Sequence, residues 1–127
     1  MTKKLTHQLT GTKITFCYGE KAYAKYIEKH YGLIGKIKSD AVTSIFKSNI
    51  DGKQSIVVGA KEREDIYELR ALIVHELSHT VSELMDEYGF KCDEFRSYTL
   101  QWLYMEIMPA LDAKLLKDNA KGIKDDD

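Results

Sequence analysis

The sequence predicts an α+β domain in which a small, mainly antiparallel sheet packs on helices. Segments rich in β-forming residues fill much of the first half of the chain, whereas long segments with apolar residues at helical spacing fill the second half. The chain has 127 residues, of which 43% are hydrophobic and 31% are charged, and this composition is typical of one globular domain with one core.

The first 31 residues predict a loose segment, a strand and a helix, in that order. Residues 1–12 are polar and include a glycine, so we expect a loose lead-in. Residues 13–18 alternate and are β-rich, which predicts a strand. In residues 20–31 the apolar positions recur at helical spacing, and Gly32 follows as a stop signal.

A β-hairpin is predicted from two strand-like segments, residues 41–47 and 54–60. The connection between them contains Asp51-Gly52, and an Asp-Gly step is a strong turn signal. The second arm of this hairpin leads directly into the longest amphipathic segment of the chain.

Two long helices complete the prediction. Asp65 and Glu68 fit a capping box at the start of the first, and Gly89 is its expected end. The second begins near Asp93 and should end or kink at Pro109, with residues 110–117 continuing as helix. We expect the whole chain, residues 1–127, to be one domain whose residues 1–12 and 118–127 are loose.

The sequence His-Glu-Leu-Ser-His at 75–79 carries the strongest chemical signal. Two histidines four residues apart project from one face of a helix, so both imidazoles can reach a single metal ion. Glu76 lies about 100° further round the helix, beside that ion, where a general base can take a proton from a bound water. The alternative is a helix face with one packed histidine and one solvated histidine.

A catalytic zinc site usually has three protein ligands, and the third should come from the helix that folds back after the turn. We choose Glu94, because its longer side chain can bridge two packed helices. Its alternative role is a first-turn carboxylate that complements the helix dipole, and Asp93 is an alternative ligand or an N-cap. Cys92 is a weaker candidate, and His7 and His30 are expected at the surface or at a helix end.

These motifs resemble the gluzincin arrangement of thermolysin-like metallopeptidases, in which a glutamate on the next helix follows H-E-x-x-H. The segments 75–81 and 92–101 resemble small phage- and prophage-encoded zinc peptidases, and the resemblance covers roughly residues 54–105. Only 14 residues separate His79 from Glu94, fewer than in larger gluzincins. Asp93 also stands where an asparagine commonly precedes the ligand glutamate.

The resemblance implies a minimal zincin-like fold that binds one Zn²⁺ through His75, His79 and Glu94. A peptide or protein substrate would bind as an extended strand along residues 55–59. Tyr98 lies one turn beyond Glu94 on the same helix face, so its phenol is a candidate donor to the oxyanion. The alternative for Tyr98 is packing in the core.

The function that these features predict is a zinc-dependent hydrolase, a phage-type metallopeptidase in which Glu76 activates the water. The alternative is a non-catalytic phage assembly or binding protein that retains the fold and the metal site. A net charge of −1 gives no reason to expect a nucleic acid or a membrane as partner. Without a signal peptide or an apolar span, we expect the host cytoplasm or a phage particle.

The two cysteines, Cys17 and Cys92, are far apart in the sequence and form no C-x-x-C pair. We therefore expect reduced thiols, as in cytoplasmic proteins, with a disulfide between them as the alternative.

Overall fold

The computed structural model describes residues 1–125 and shows an α+β fold with four strands and three helices. In chain order the elements are β1 (Thr2–Thr6), β2 (Lys13–Tyr18), α1 (Glu20–Tyr31), β3 (Ala41–Lys47), β4 (Gln54–Ala60), α2 (Ile66–Tyr88) and α3 (Asp93–Asp125). The predicted fold class is confirmed, and so are the predicted bounds of β2, α1, β3 and β4.

The four strands form one mixed sheet in the order β1-β2-β4-β3. Strands β1 and β2 are antiparallel, as are β3 and β4, and the central pair β2 and β4 is parallel. A parallel pair needs a crossover connection, which α1 and residues 32–40 provide. This order leaves β1 and β3 as the two edges of the sheet.

Helices cover both faces of the sheet, because successive side chains of its central strands alternate between two cores. Cys17 and Val57 point to the face that α1 covers. Phe16 and Ile56 point to the opposite face, where α2 and α3 pack. In the α2 and α3 layer, fully buried side chains repeat at helical spacing, and these are Leu69, Ile73, Leu77, Leu84, Leu103, Ile107 and Leu111.

Asp65 and Gly89 cap α2 as predicted, whereas among the described residues Glu68 does not complete the predicted capping box. The Asp65 carboxylate accepts hydrogen bonds from the backbone N–H groups of Tyr67 at 2.9 Å and Glu68 at 3.2 Å. The Glu68 carboxylate lies 3.7 Å from the Arg63 guanidinium, so it pairs with that cation. At the other end Gly89 has φ +70°, and its N–H donates to the carbonyl of Met85.

Helix α3 continues through Pro109 to Asp125, so the proline does not end it. Beyond the proline, Leu111 is fully buried, and the Asp112 carboxylate accepts a 2.8 Å hydrogen bond from Arg70 on α2. These contacts hold the later half of α3 against α2. Residues 118–125, which we expected to be loose, belong to α3, and Asp126 and Asp127 lie outside the described residues.

The prediction of a loose lead-in over residues 1–12 is wrong for residues 2–6, because β1 pairs with β2 along its whole length. The turn that follows buries His7, which we expected at the surface. Its Nδ1 lies 3.3 Å from the donating backbone N–H of Thr10, and its ring contacts Phe95 and Trp102 at centroid distances of 5.5 and 5.6 Å. His30 is exposed as predicted.

Replacing Gly59 with alanine should destabilise the protein. A Cβ on Gly59 would lie 2.6 Å from Cδ2 of the buried Tyr23 ring and 3.1 Å from Ile37. Overpacking of this kind costs about 1–3 kcal/mol, and we expect urea denaturation to show a loss in that range. Ser55→Ala, on the same strand, is the control. Equal stability of Gly59→Ala and wild type would show that α1 does not press on the sheet.

Protonation of His7 should destabilise the fold. Burial lowers its pKa from the ordinary value of 6.5, so between the folded and unfolded pKa values the unfolded chain binds more protons. The neutral His7 ring therefore contributes fully to the free energy of unfolding above pH 6.5. This contribution is lost as the pH falls through the lower pKa that His7 has in the folded state. In the His7→Asn variant, the free energy of unfolding, measured below pH 6.5 in the presence of a chelator, should fall less steeply with decreasing pH than in the wild type. An unchanged slope would contradict this assignment.

Candidate active site

The candidate metal centre consists of His75 and His79 on the solvent-facing side of α2. Both side chains are exposed, and their Nε2 atoms lie 3.1 Å apart. Ile73 and Leu77 on the same helix are fully buried, and this packing fixes which side of α2 the histidines occupy. The four-residue spacing then places the two rings one turn apart, with centroids separated by 4.7 Å.

The separation of the two nitrogens fits a shared metal ion. Two nitrogens bound at about 2.0–2.1 Å to a tetrahedral Zn²⁺ lie about 3.3 Å apart. The observed 3.1 Å is close to that value. The same distance also fits one imidazole N–H donating to the other ring, so the geometry suits both metal binding and a hydrogen-bonded pair.

Glu76 lies beside the two histidines and is held by the edge strand β3. The Thr43 hydroxyl lies 2.5 Å from Oε2 of Glu76 and 3.1 Å from its backbone carbonyl oxygen. A hydroxyl has only one hydrogen, and an ionised carboxylate is the stronger acceptor, so we assign that hydrogen to Oε2. The carboxylate of Glu76 is therefore oriented towards the sheet edge.

A groove of about 390 Å³ runs between α2 and β3. Its lining combines strand residues with the polar side of the helix, and includes Ala41, Val42, Thr43, Ile45, Glu76, His79, Ser82 and Glu83. Because β3 is an edge strand, its outer backbone groups have no strand partner among residues 1–125. This is a surface on which an extended chain can add to the sheet.

The prediction that a peptide adds to residues 55–59 is wrong. These residues belong to β4, which pairs with β2 on one side and β3 on the other, so its backbone groups are already used. The strand beside the histidines that has a free edge is β3. Sequence patterns do not reveal strand order, so the free edge could not be identified from the sequence.

The structure does not bring Glu94 to the histidines. Within residues 1–125, no three side chains of His, Cys, Asp or Glu form a group that could hold a metal ion. Glu94 is exposed in the first turn of α3, and Asp93 is the first residue of that helix, so the N-cap position falls on Cys92. Glu94 therefore stays a prediction as the third ligand.

Arg96 shows how close the first turn of α3 lies to the candidate site. Its Nη1 lies 3.4 Å from Oγ of Ser82, one helical turn past His79. Glu94 precedes Arg96 by two residues in the same first turn of α3. Among residues 1–125 the site thus has no third His, Cys, Asp or Glu donor, although α3, which carries the predicted donor, packs against α2.

Tyr98 is 66% exposed, so it is not packed in the core. It lines a groove of about 290 Å³ together with His7, Leu9, Phe95 and Trp102, and that lining includes none of the candidate site residues on α2. Its proposed role as oxyanion donor has no geometric support here and stays a prediction.

Sequence reasoning missed Thr43 and Ser82 as parts of the site. Both residues have ordinary types for their elements, a threonine in a strand and a serine on a helix. They gain significance only because β3 lies beside α2 and α3 folds back against it. No local sequence pattern could have identified them.

Comparisons of this chain with protein families, with curated proteins and with solved structures find no match. The resemblance to zinc peptidases therefore depends on the motif residues alone.

Within the described residues, no helix is long and apolar enough to cross a membrane. Cys17 is buried and Cys92 exposed, and both thiols are free.

The bond between Thr43 and Glu76 should be measurable by a double-mutant cycle. Thr43→Val keeps the side-chain size but removes the donor, and Glu76→Ala removes the acceptor. We expect a coupling free energy of about 1 kcal/mol in urea denaturation, the usual scale for one hydrogen bond. Additive effects of the two substitutions would show that the hydroxyl does not hold the carboxylate.

Proposed function

We propose that this protein is a zinc-dependent hydrolase that cleaves peptide bonds, with His75, His79 and Glu94 as metal ligands and Glu76 as general base. The observation that carries the proposal is the 3.1 Å approach of two exposed imidazole nitrogens beside a carboxylate fixed at a sheet edge. A structural zinc site would need four closed ligands and would have no use for the carboxylate.

Each residue has a distinct task in this proposal. Zinc in such a site supplies an acidified water at neutral pH and polarises the substrate carbonyl. Glu76 accepts a proton at its carboxylate and later returns it to the leaving amine. The Thr43 hydroxyl orients that carboxylate and so holds the base in one position.

The substrate main chain would pair with the outer edge of β3. It would then lie in the groove that β3 forms with the polar side of α2. Ala41 and Thr43 are small, which leaves room for a peptide in the groove. Ile45 is 41% exposed on the same strand and offers an apolar contact to a substrate side chain. An extended backbone, rather than a compact folded segment, is therefore the substrate form that this groove favours.

The Glu94 assignment requires a local rearrangement on metal binding. The first turn of α3 already contacts α2 through Arg96 and Ser82, and the Glu94 side chain is exposed. Metal binding would have to supply the free energy of ordering that side chain next to the histidines. Metal binding and local structure are coupled in this way in many zinc sites.

The alternative function is a non-catalytic phage assembly or binding protein that keeps a zincin-like fold. The observation that favours it is the lack of a three-donor metal group among residues 1–125. The oriented Glu76 favours the hydrolase, because a binding protein does not need a base at the metal. The two proposals differ in whether Glu76 affects turnover.

Glu76→Gln should abolish most hydrolysis without removing zinc. Glutamine keeps the shape of the side chain and its hydrogen bond to Thr43, but it cannot accept the proton. The zinc-loaded protein would be incubated with a library of unfolded proteins and peptides, and cleavage measured by mass spectrometry. We expect a loss of at least about 10²-fold, the scale of general-base catalysis.

Glu68→Gln is the matched control, because Glu68 lies on the same helix but near its N-terminus and outside the groove. It should retain wild-type cleavage. Full activity of Glu76→Gln would contradict the assignment of the base. Absence of cleavage by the zinc-loaded wild type would favour the non-catalytic alternative.

Glu94→Ala should lose most bound zinc, whereas Asp93→Ala should keep it. Losing the carboxylate leaves two imidazoles and water, which bind the ion weakly, and zinc content after dialysis measures this directly. Asp93 in the first turn complements the helix dipole, so its removal should cost only about 0.3–1 kcal/mol. The reverse pattern would move the third ligand from Glu94 to Asp93.

A further inference from the structure

The charges of this protein are segregated along the chain. Residues 1–38 contain eight lysines and two glutamates, whereas the rest of the chain contains eleven basic and eighteen acidic residues. The net charge of −1 conceals this asymmetry, and it was the net charge that argued against anionic partners. Most of these lysines lie on α1, on β1 and in the segment that follows α1, while Lys13 begins β2 and Lys3 pairs with Glu106 of α3.

Four lysines line one groove on this layer. Lys21, Lys25 and Lys29 recur every fourth residue on the exposed side of α1. Lys4 of β1 joins them, and its Nζ lies 5.7 Å from the centre of the Tyr26 ring. The groove has a volume of about 480 Å³, and in the described part of the chain none of these four lysines forms a salt bridge.

An apolar tip projects directly after the lysine helix. Leu33 is 53% exposed and Ile34 is 99% exposed, and Lys36 and Lys38 follow them at the surface. The tip is anchored on both sides. Gly32 caps α1 with φ +65°, and the backbone of Gly35 packs against Ile27, where an added Cβ would lie 2.7 Å from the isoleucine Cβ.

A second apolar tip lies at the same end of the domain. Ile50, in the turn between β3 and β4, is 98% exposed. Phe46, near the end of β3, stacks on Tyr31 at the end of α1 with ring centroids 3.8 Å apart. The hairpin turn and the Leu33-Ile34 tip therefore leave the body of the protein next to each other.

Protruding aliphatic tips beside unpaired lysines fit the boundary between lipid headgroups and acyl chains. Single-stranded nucleic acid would use the lysines and exposed aromatic faces, but it gains nothing from fully exposed isoleucines. The core of a protein–protein interface is a contiguous, densely packed patch, whereas these apolar side chains project from two separate turns. In a bilayer, lysines attract anionic headgroups while apolar side chains enter the interface.

We propose that the α1 layer docks on a membrane with anionic headgroups, with Lys4, Lys21, Lys25 and Lys29 against the headgroups and Leu33, Ile34 and Ile50 in the interface. The site on α2 lies across the sheet from α1, so docking leaves the groove at β3 open. The proposal does not depend on the hydrolase function, and either one can fail alone.

Cosedimentation with vesicles tests this docking. The full chain would be mixed with vesicles of phosphatidylcholine alone or of phosphatidylcholine with phosphatidylglycerol. We expect binding only to the second kind, weakened by added salt. Lys25→Gln with Lys29→Gln should reduce the partition coefficient roughly 25-fold, since each lysine at an anionic surface contributes about fivefold. Ile34→Ser should reduce it roughly tenfold.

The matched controls are Leu116→Ser and Lys117→Gln on α3, which is separated from α1 by the sheet. Both should bind vesicles like the wild type. All of the substituted residues are exposed, and circular dichroism would verify that each variant is folded. Absence of binding to the phosphatidylglycerol vesicles, or wild-type binding by Ile34→Ser, would overturn the proposal. So would tight binding of a single-stranded oligonucleotide to the wild type that Ile34→Ser leaves unchanged.

Discussion

The burial of one side of α2 is the constraint on which the candidate site depends. Its inward residues, spaced by turns of the helix, pack against the sheet and α3, and Leu69, Ile73, Leu77 and Leu84 are fully buried. Once those positions are fixed, His75 and His79 must face solvent and Glu76 must face β3, because 3.6 residues complete a turn. The geometry of the candidate site therefore follows from hydrophobic packing.

Elements whose limits are set by local chemistry could be predicted from the sequence. Gly32 and Gly89 end their helices in the left-handed conformation, and Asp65 caps α2 with its own carboxylate. Such signals operate within a few residues, so they can be recognised in the sequence without knowledge of the fold. The pair His75 and His79 was predictable for the same reason, since one helical turn brings the two imidazoles together.

Features that depend on distant partners were not predictable. The strand β1 has a polar sequence and exists because β2 offers it an edge, and His7 is buried only because α3 passes over it. The strand expected to bind a peptide, residues 55–59, has no free edge, and this was not predictable because strand order is a tertiary property. Thr43 became part of the site, and Glu94 stayed outside it, through the packing of β3 and α3 on α2.

X-ray absorption at the zinc edge of the stoichiometrically loaded protein tests the central claim most directly. If α2 presents a zinc site that Glu94 completes, the spectrum should show two imidazole nitrogens and additional oxygen ligands at about 2.0–2.1 Å. Glu94→Ala should change the oxygen shell but keep the imidazoles. A spectrum without paired imidazoles, or with a sulfur ligand at about 2.3 Å, would contradict the account.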